Sequence, residues 1–206
     1  NVFYDYKKIG IWKDTPEDHA EMDKFNKNGH KYQPGMIRVE DVNKDYRITA
    51  DDDRQILGQQ RPKHIFNMTN NFAYKGFDLN VVLYATLGGM LNNGLRYVHQ
   101  SYRNNSLKLD YWSPDNPTNA YPRPFQNYDN LEYESTLRYE KSDFLRVKTI
   151  TLGYTLPKRL VSKAQLNNCR FYVTAENPFV FTDYTGIDPE GTTGYAAPSV
   201  SSWMFG

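Results

Sequence analysis

Between Ile65 and Leu87 the chain alternates apolar and polar residues through two arms of about ten residues each, broken only by Lys75-Gly76. In the first arm Phe66, Met68, Phe72 and Tyr74 share one face, and Asn67, Thr69, Asn71 and Ala73 share the other. In the second, Phe77, Leu79, Val81, Leu83, Ala85 and Leu87 lie opposite Asp78, Asn80, Val82, Tyr84 and Thr86. A side-chain period of two specifies strands and rejects an amphipathic helix. Lys75-Gly76 supplies the tight turn of a hairpin, with glycine tolerating positive φ. Arms of this length match a tilted strand that crosses a bilayer. Phe72, Tyr74 and Phe77 gather at the turn as an interfacial aromatic girdle does. An amphipathic hairpin of a soluble sandwich has the same pattern, so two strands alone leave both architectures open.

The remaining segments add strands joined by unequal connections. Asn1 to about Trp12 is strand-like, and a long polar connection follows from Lys13 to Lys63. After the hairpin comes a second long connection, from about Gly88 to Asp143, and then a strand from Phe144 to Leu156. Ile150, Leu152, Tyr154 and Leu156 alternate cleanly, but Arg146 and Lys148 fall on the face of Ile150. A bulge, or a strand end projecting beyond the bilayer, accounts for that break. Pro157 to about Gln165 is a helix-capable turn. In the next strand, Cys169 to about Phe181, the residues Phe171, Val173 and Ala175 face away from Arg170, Tyr172, Thr174 and Glu176. Asp183 to Pro198 leads into a last, truncated strand, and the chain reads as an excerpt of something longer. Brief turns alternating with extended loops are the signature of an outer-membrane barrel. Two structureless connections of roughly fifty residues count against a compact soluble domain. The polar-face residues Asp78, Asn80, Tyr84, Arg170, Tyr172 and Glu176 then line a lumen, where they touch substrate or plug, or simply pair across strands.

Composition fits this reading. Of 206 residues only 39% are hydrophobic, yet 15% are aromatic, with 17 Tyr and 11 Phe. Tyrosine joins an apolar body to a polar tip and suits a half-wet surface. A mean hydropathy of −0.77 and the lack of any long apolar run exclude a transmembrane helix. They do not exclude a barrel, whose strands place only alternate residues in lipid. The net charge of +1 gives no pointer to nucleic acid. The single Cys169 excludes an internal disulfide framework and a cysteine-based zinc site.

Within the first long connection, Asp41 to Asp52 carries the spacing of an EF-hand-like calcium loop. Asp41, Asn43, Asp45, the Arg47 carbonyl, Thr49 and Asp52 are the expected ligands, with apolar Ile48 at position 8. Tyr46 stands where the sharp turn favours glycine, and a non-glycine residue at positive φ costs about 1 kcal/mol or more. A calcium ion here braces a loop and performs no catalysis; a solvated acidic turn is the alternative. Glu17, Asp18, Glu21, Asp23, Lys24 and Lys27 form a solvated, helix-capable stretch. In the second long connection Tyr111, Trp112 and Tyr121 are candidates for stacking on sugar rings or gripping a partner. They serve equally as the loop's own small core, anchored by Pro114, Pro117, Pro122 and Pro124. His19, His30, His64 and His99 are scattered, and neither a nucleophile elbow nor a phosphate-cradling glycine loop is present, so the chain is expected not to be an enzyme.

Several phrases resemble the C-terminal region of the SusC/RagA family of TonB-dependent transporters, the nutrient importers of Bacteroidota outer membranes. They are Pro34-Gly35-Met36-Ile37-Arg38 before the acidic loop and Asp53-Arg54-Gln55-Ile56-Leu57-Gly58 after it. Further along stand Tyr111-Trp112-Ser113-Pro114-Asp115-Asn116-Pro117 and Tyr121-Pro122-Arg123-Pro124. Then come Phe144-Leu145-Arg146-Val147-Lys148 and Leu152-Gly153-Tyr154-Thr155-Leu156-Pro157. The last are Ala175-Glu176-Asn177-Pro178-Phe179 and Tyr184-Thr185-Gly186-Ile187-Asp188-Pro189-Glu190.

The resemblance spans nearly the whole chain in order. It implies an all-β fold: about six antiparallel strands with long extracellular loops, the C-terminal part of a transmembrane barrel of about 22 strands. Residues 1–206 then form one segment of a bacterial outer-membrane protein, with the EF-hand-like loop at 41–52 and the plug domain absent. The resemblance further implies import of oligomeric nutrients, glycans more than peptides, with a SusD-like surface lipoprotein as lid. It implies energy from TonB acting on the plug, and contact with membrane lipid but no nucleic acid. The alternative, from another class, is a secreted β-rich glycan-binding module with a dockerin-like calcium loop. The two differ in whether Phe66, Phe72, Phe77, Leu79 and Leu83 face lipid or a buried core.

Overall fold

The computed structural model describes residues 1–96, 109–124, 131–191 and 197–206. Eleven strands appear there. They are β1 Val2–Tyr6, β2 Lys8–Ile11, β3 Ile37–Val39, β4 Arg54–Gln59, β5 His64–Tyr74, β6 Phe77–Leu87, β7 Met90–Asn92, β8 Tyr139–Lys141, β9 Phe144–Thr155, β10 Arg170–Thr182 and β11 Ser202–Phe205. Two α-helices join them, α1 Pro16–Lys27 and α2 Lys158–Val161. The chain divides into two compact units, residues 1–59 with 92–139 and residues 60–91 with 140–206.

The second unit is a five-stranded antiparallel sheet in the order β11-β10-β9-β6-β5. Its hairpin has the register expected from the alternation: Phe66 lies opposite Ala85, Met68 opposite Leu83, Phe72 opposite Leu79 and Tyr74 opposite Phe77. Lys75 and Gly76 both take positive φ, 46° and 88°. Two left-handed central residues make the type I′ turn whose twist matches the flanking strands. Brief connections join β5 to β6 and β9 to β10 at one end of the sheet. The β6–β9 and β10–β11 connections, both long, leave from the other.

The broken alternation in β9 is a bulge. Val82 pairs with Thr149 and the next residue, Leu83, pairs with Val147, so Lys148 is left out of the ladder. The extra residue returns Val147 and Leu145 to the face of Ile150 and Leu152, and sends Arg146 to the polar face. On the other side of β9 the register slips again between Glu176 and Phe179. Asn177 there has φ 47°, and Pro178, which has no N–H to give a ladder, occupies the irregularity.

The first unit corrects two expectations. Asn1 to Trp12 does not supply a sixth strand to the large sheet. It divides at Lys7 into β1, which pairs with β4, and β2, which pairs with β3. Nor is Lys13 to Lys63 structureless, because it holds α1, β3 and β4. The physical reason is a core of aromatic residues within this unit. Trp12, Met22, Phe25 and Tyr32 are at most 4% exposed. Their rings meet at 5.6–6.0 Å, in the tilted and edge-on geometries that aromatic quadrupoles prefer. The solvated stretch is α1 itself. Thr15 caps it by accepting from the Asp18 N–H at 3.3 Å, and Pro16 opens the first turn. Glu17 and Asp18 sit at its positive end and Lys24 and Lys27 at its negative end, leaving Met22 and Phe25 to the core.

Candidate functional site

The five strands align their side chains into rows across the sheet. One face carries Phe66-Ala85-Leu145-Phe181, then Met68-Leu83-Val147-Phe179, then Asn70-Val81-Ile150-Ala175-Trp203. It continues with Phe72-Leu79-Leu152-Val173-Phe205 and ends at Tyr74-Phe77-Tyr154-Phe171. Apart from Asn70 this face is apolar, and it is largely uncovered: Phe66, Phe72, Phe77, Phe171 and Phe181 are 52–60% exposed. From Phe66 to Tyr74 the strand rises about 26 Å. Aromatic residues mark both ends, and the apolar band of an outer-membrane barrel is about 25 Å tall between such girdles. Phe66, Phe72 and Phe77 are therefore not core residues of this sheet.

The opposite face is polar and satisfies itself across strands. Arg170 donates from Nε to Asp78 at 3.0 Å and from a second nitrogen to its other oxygen. The glycine between them on β9, Gly153, makes this fork possible. A Cβ there would meet the Asp78 carboxylate at 2.6 Å and the Arg170 guanidinium still closer. Asn80 donates to Asn71 at 2.6 Å, Thr151 meets Thr174 at 2.9 Å, and Ser202 donates to Glu176 at 3.1 Å. Asp78, Asn80, Arg170 and Glu176 thus serve as wall-pairing residues.

Where the long β10–β11 connection returns over this polar face, one charged cluster is buried. Arg146 is 3% exposed and donates to Asp188 at 2.7 Å. Asp188 also accepts from the Ser199 hydroxyl at 2.6 Å and from the N–H groups of Glu190 and Ser199 at 2.9 and 3.0 Å. Lys148, the bulged residue, reaches Glu190 at 2.8 Å. Burial alone raises the Asp188 carboxyl; the hydrogen bonds and the Arg146 charge outweigh it and hold the group below the usual carboxylate range. Sequence reading placed Arg146 and Lys148 only as breaks in a pattern. Their signal was the mismatch itself, two cations on an apparently apolar face.

Hydrogen bonds from its own backbone lace the acidic loop together. Asp41 accepts from the N–H groups of Lys44 and Tyr46 at 2.7 and 2.8 Å, Asn43 from Asp45 at 3.2 Å, and Asp45 from Arg47 at 2.8 Å. Lys44 and Tyr46 take left-handed φ of 62° and 61°. The cost at Tyr46 is offset by its ring, which packs edge-on against Phe25 at 5.4 Å. The loop is closed by Asp53, not Asp52. Asp53 is fully buried and accepts from Val42 and Thr49 N–H groups, both at 2.8 Å. Asp52 is exposed and accepts from the Thr49 hydroxyl at 3.0 Å. Among the described residues no three His, Cys, Asp or Glu side chains converge as a ligand group.

Of the three aromatic candidates, two are structural. Trp112 is 5% exposed and Tyr121 9%, packed with Ile11, Ile37, Val39 and Leu137. The Trp112 N–H donates to the Tyr121 carbonyl at 3.0 Å, which holds the two loop arms together. Only Tyr111 is exposed, at 50%. Lys8 braces the same arm by donating to the Asn119 and Ala120 carbonyls at 2.8 and 2.7 Å. Burial, and then the Arg96 charge, pull its amine down to about 8.

No family model matches the chain. It is 32% identical over 193 residues to TonB-dependent receptor P3 of Formosa agariphila, covering 91% of this chain and 18% of that protein. To TonB-dependent receptor SusC of Bacteroides thetaiotaomicron it is 27% identical over 164 residues, 75% of this chain and 16% of that protein. The chain thus spans under a fifth of the length of these relatives. Among solved structures, the RagAB peptide transporter superposes over all of this chain and 22% of its own, with a TM-score of 0.68 at 24% identity. RagAB in its open-open state gives 0.63 over 92% of this chain and 20% of its own, also at 24% identity. The relatives are receptors, and no enzyme stands among these matches. Agreement of sequence and fold along nearly the whole chain explains an apolar face left uncovered on one side of a self-satisfied polar wall: the chain is a stretch of the outer-membrane β-barrel of the TonB-dependent receptors.

Proposed function

We propose that the protein containing this chain imports oligomeric nutrients across the outer membrane, driven by TonB through a plug and closed by a SusD-like lipoprotein lid. The observation that carries this reading is the apolar face, continuous across five paired strands, in a chain that aligns over 91% of its length with a TonB-dependent receptor. A secreted glycan-binding module would bury Phe66, Phe72 and Phe77, and all three are more than half exposed. Glycans are placed ahead of peptides as cargo; the fold-neighbour RagAB, a peptide transporter, keeps peptides as the competing class.

Calcium belongs to the same proposal. Asp41, Asn43, Asp45, the Arg47 carbonyl, Thr49 and Asp52 supply the oxygens, and the ion braces the loop once Thr49 and Asp52 swing inward. The readout is the melting temperature of the purified protein with calcium and with chelator, and an unchanged value removes calcium from the reading.

The first experiment is the intact mass of the native protein recovered from outer-membrane fractions in detergent. A species several times heavier than 24.1 kDa, accompanied by a lipoprotein, supports the importer. A water-soluble species of that size overturns it. Growth on defined oligosaccharides against growth on peptides, with the gene deleted, then separates the two cargo classes.

A further inference from the structure

The short-turn end of the sheet carries an unusual charge pattern. Between Asp143 and Glu176 the chain has no acidic residue, but it has Arg146, Lys148, Lys158, Arg159, Lys163 and Arg170. Arg146 and Lys148 are paired with Asp188 and Glu190, and Arg170 is paired with Asp78 on the polar face. Lys158, Arg159 and Lys163 remain. All three are exposed and have no ion pair among the described residues. They lie in the β9–β10 turn, which begins where the Leu156 N–H donates to the Cys169 carbonyl at 2.9 Å, directly beyond the aromatic row of Tyr154 and Phe171. Lys75, in the neighbouring turn at the same end, holds its amine 5.1 Å from the centre of the Tyr74 ring. The β9–β10 turn exposes Leu160 and Leu166, each 53% accessible, and buries Val161. At the opposite end of the sheet the charges are mixed: Asp143, Asp183, Asp188 and Glu190 stand there with Lys63, Lys141, Arg146 and Lys148.

Resting on the membrane reading above, we infer that Lys158, Arg159 and Lys163, with Lys75 beside them, form a docking site for anionic phospholipid headgroups at the short-turn rim. The chemistry is complementary at each level. The aromatic row sits where acyl chains give way to headgroups. Beyond it, Lys75 one residue past Tyr74 and Lys158 four residues past Tyr154 bring cations to the phosphate layer. Leu160 and Leu166 dip towards the acyl boundary as the apolar side of an interfacial turn. A solvated turn requires no exposed leucine pair, and a partner protein's acidic surface leaves unexplained why the cations adjoin the lipid-facing row.

The test uses the full-length protein purified in detergent and titrated with phosphatidylglycerol, phosphatidylcholine or inorganic phosphate, with retained molecules counted by native mass spectrometry. The comparison is between wild type and a variant carrying Lys158→Gln, Arg159→Gln and Lys163→Gln. Each removed charge is expected to weaken phosphatidylglycerol retention roughly fivefold at low salt. Phosphatidylcholine retention should stay unchanged, and a Lys158→Arg, Lys163→Arg variant should bind as wild type. Wild-type retention in the triple glutamine variant, or equal binding of inorganic phosphate, overturns the inference. If the variant remains an outer-membrane protein in that outcome, only the headgroup site fails; recovery of wild type in the soluble fraction would instead bring down the membrane reading itself.

Discussion

The two units of this chain achieve order in opposite ways. The five-stranded sheet is one continuous antiparallel ladder interrupted at two bulges, its apolar residues are exposed, and its polar residues pair with each other. The first unit has short strands and one helix, and it turns its aromatic residues inward around Trp12, Trp112 and Tyr121. A barrel wall borrows its apolar environment from lipid and needs only backbone pairing and a polar lining. A unit built from long connections must make a core of its own. Substitutions therefore have opposite expectations in the two regions: the first unit suffers when a large side chain is lost, the sheet when a charge appears.

The largest effects follow from that contrast. Trp112→Ala empties a buried site in the first unit and should cost about 3–5 kcal/mol, read from denaturant unfolding or hydrogen exchange in residues 1–59. Tyr111→Ala, at its exposed neighbour, should leave that stability unchanged. Equal effects of the two would show that Trp112 is not core. In the second unit Arg146→Ala leaves Asp188 buried without its cation, a loss of about 3–5 kcal/mol. It should appear as faster exchange in residues 183–191, with the strands retained. Asp188 also gives this loop a pH dependence. Its carboxyl titrates below the unfolded value, so its contribution is complete above the usual carboxylate range and is lost as pH falls through the depressed value. Protection in the loop, corrected for the intrinsic pH dependence of amide exchange, should be lower at pH 3 than at pH 6, and that difference should vanish in Asp188→Asn.

A smaller, graded effect tests the wall. Val81→Arg stands in the middle row of the apolar face and should cost about 2–4 kcal/mol of membrane assembly, with Leu79→Arg and Leu83→Arg close behind. Phe77→Arg, in the rim row, should cost about 0–1 kcal/mol, since arginine there reaches the headgroups. Heat-modifiability of the outer-membrane protein on gels reads the series. A flat profile with depth removes the assigned lipid face.

What could be read beforehand follows the same division. The β5–β6 register was legible because a period of two leaves no freedom once a turn is fixed, and even the Lys148 bulge was announced by the alternation it breaks. The pairing of β1 with β4 was not, because Val2 meets Gln59 across a long intervening segment and nothing local in either strand names its partner. Nor could spacing tell whether Trp112 and Tyr121 face a core or a ligand, since a proline-flanked aromatic reads alike in both settings. The Asp183 to Pro198 connection was recognised as a loop, but its buried Asp188 depends on a cation from a strand 42 residues earlier.

The acidic loop gives the finest test, because two adjacent aspartates differ in everything but sequence context. Counting EF-hand positions selects Asp52, yet the backbone presents Asp53 to the Val42 and Thr49 N–H groups. Asp53→Ala deletes both charge-assisted bonds and leaves two N–H groups unmatched, so it should destabilise the first unit by about 2–3 kcal/mol with or without calcium. Asp52→Ala in chelator should stay within about 0.5 kcal/mol of wild type, as an exposed substitution does. If calcium binds through Asp52, adding the ion should stabilise wild type and fail to stabilise Asp52→Ala. Loss of stability in Asp52→Ala with chelator present would mean that Asp52 closes the loop by itself, and the division of labour with Asp53 would fall.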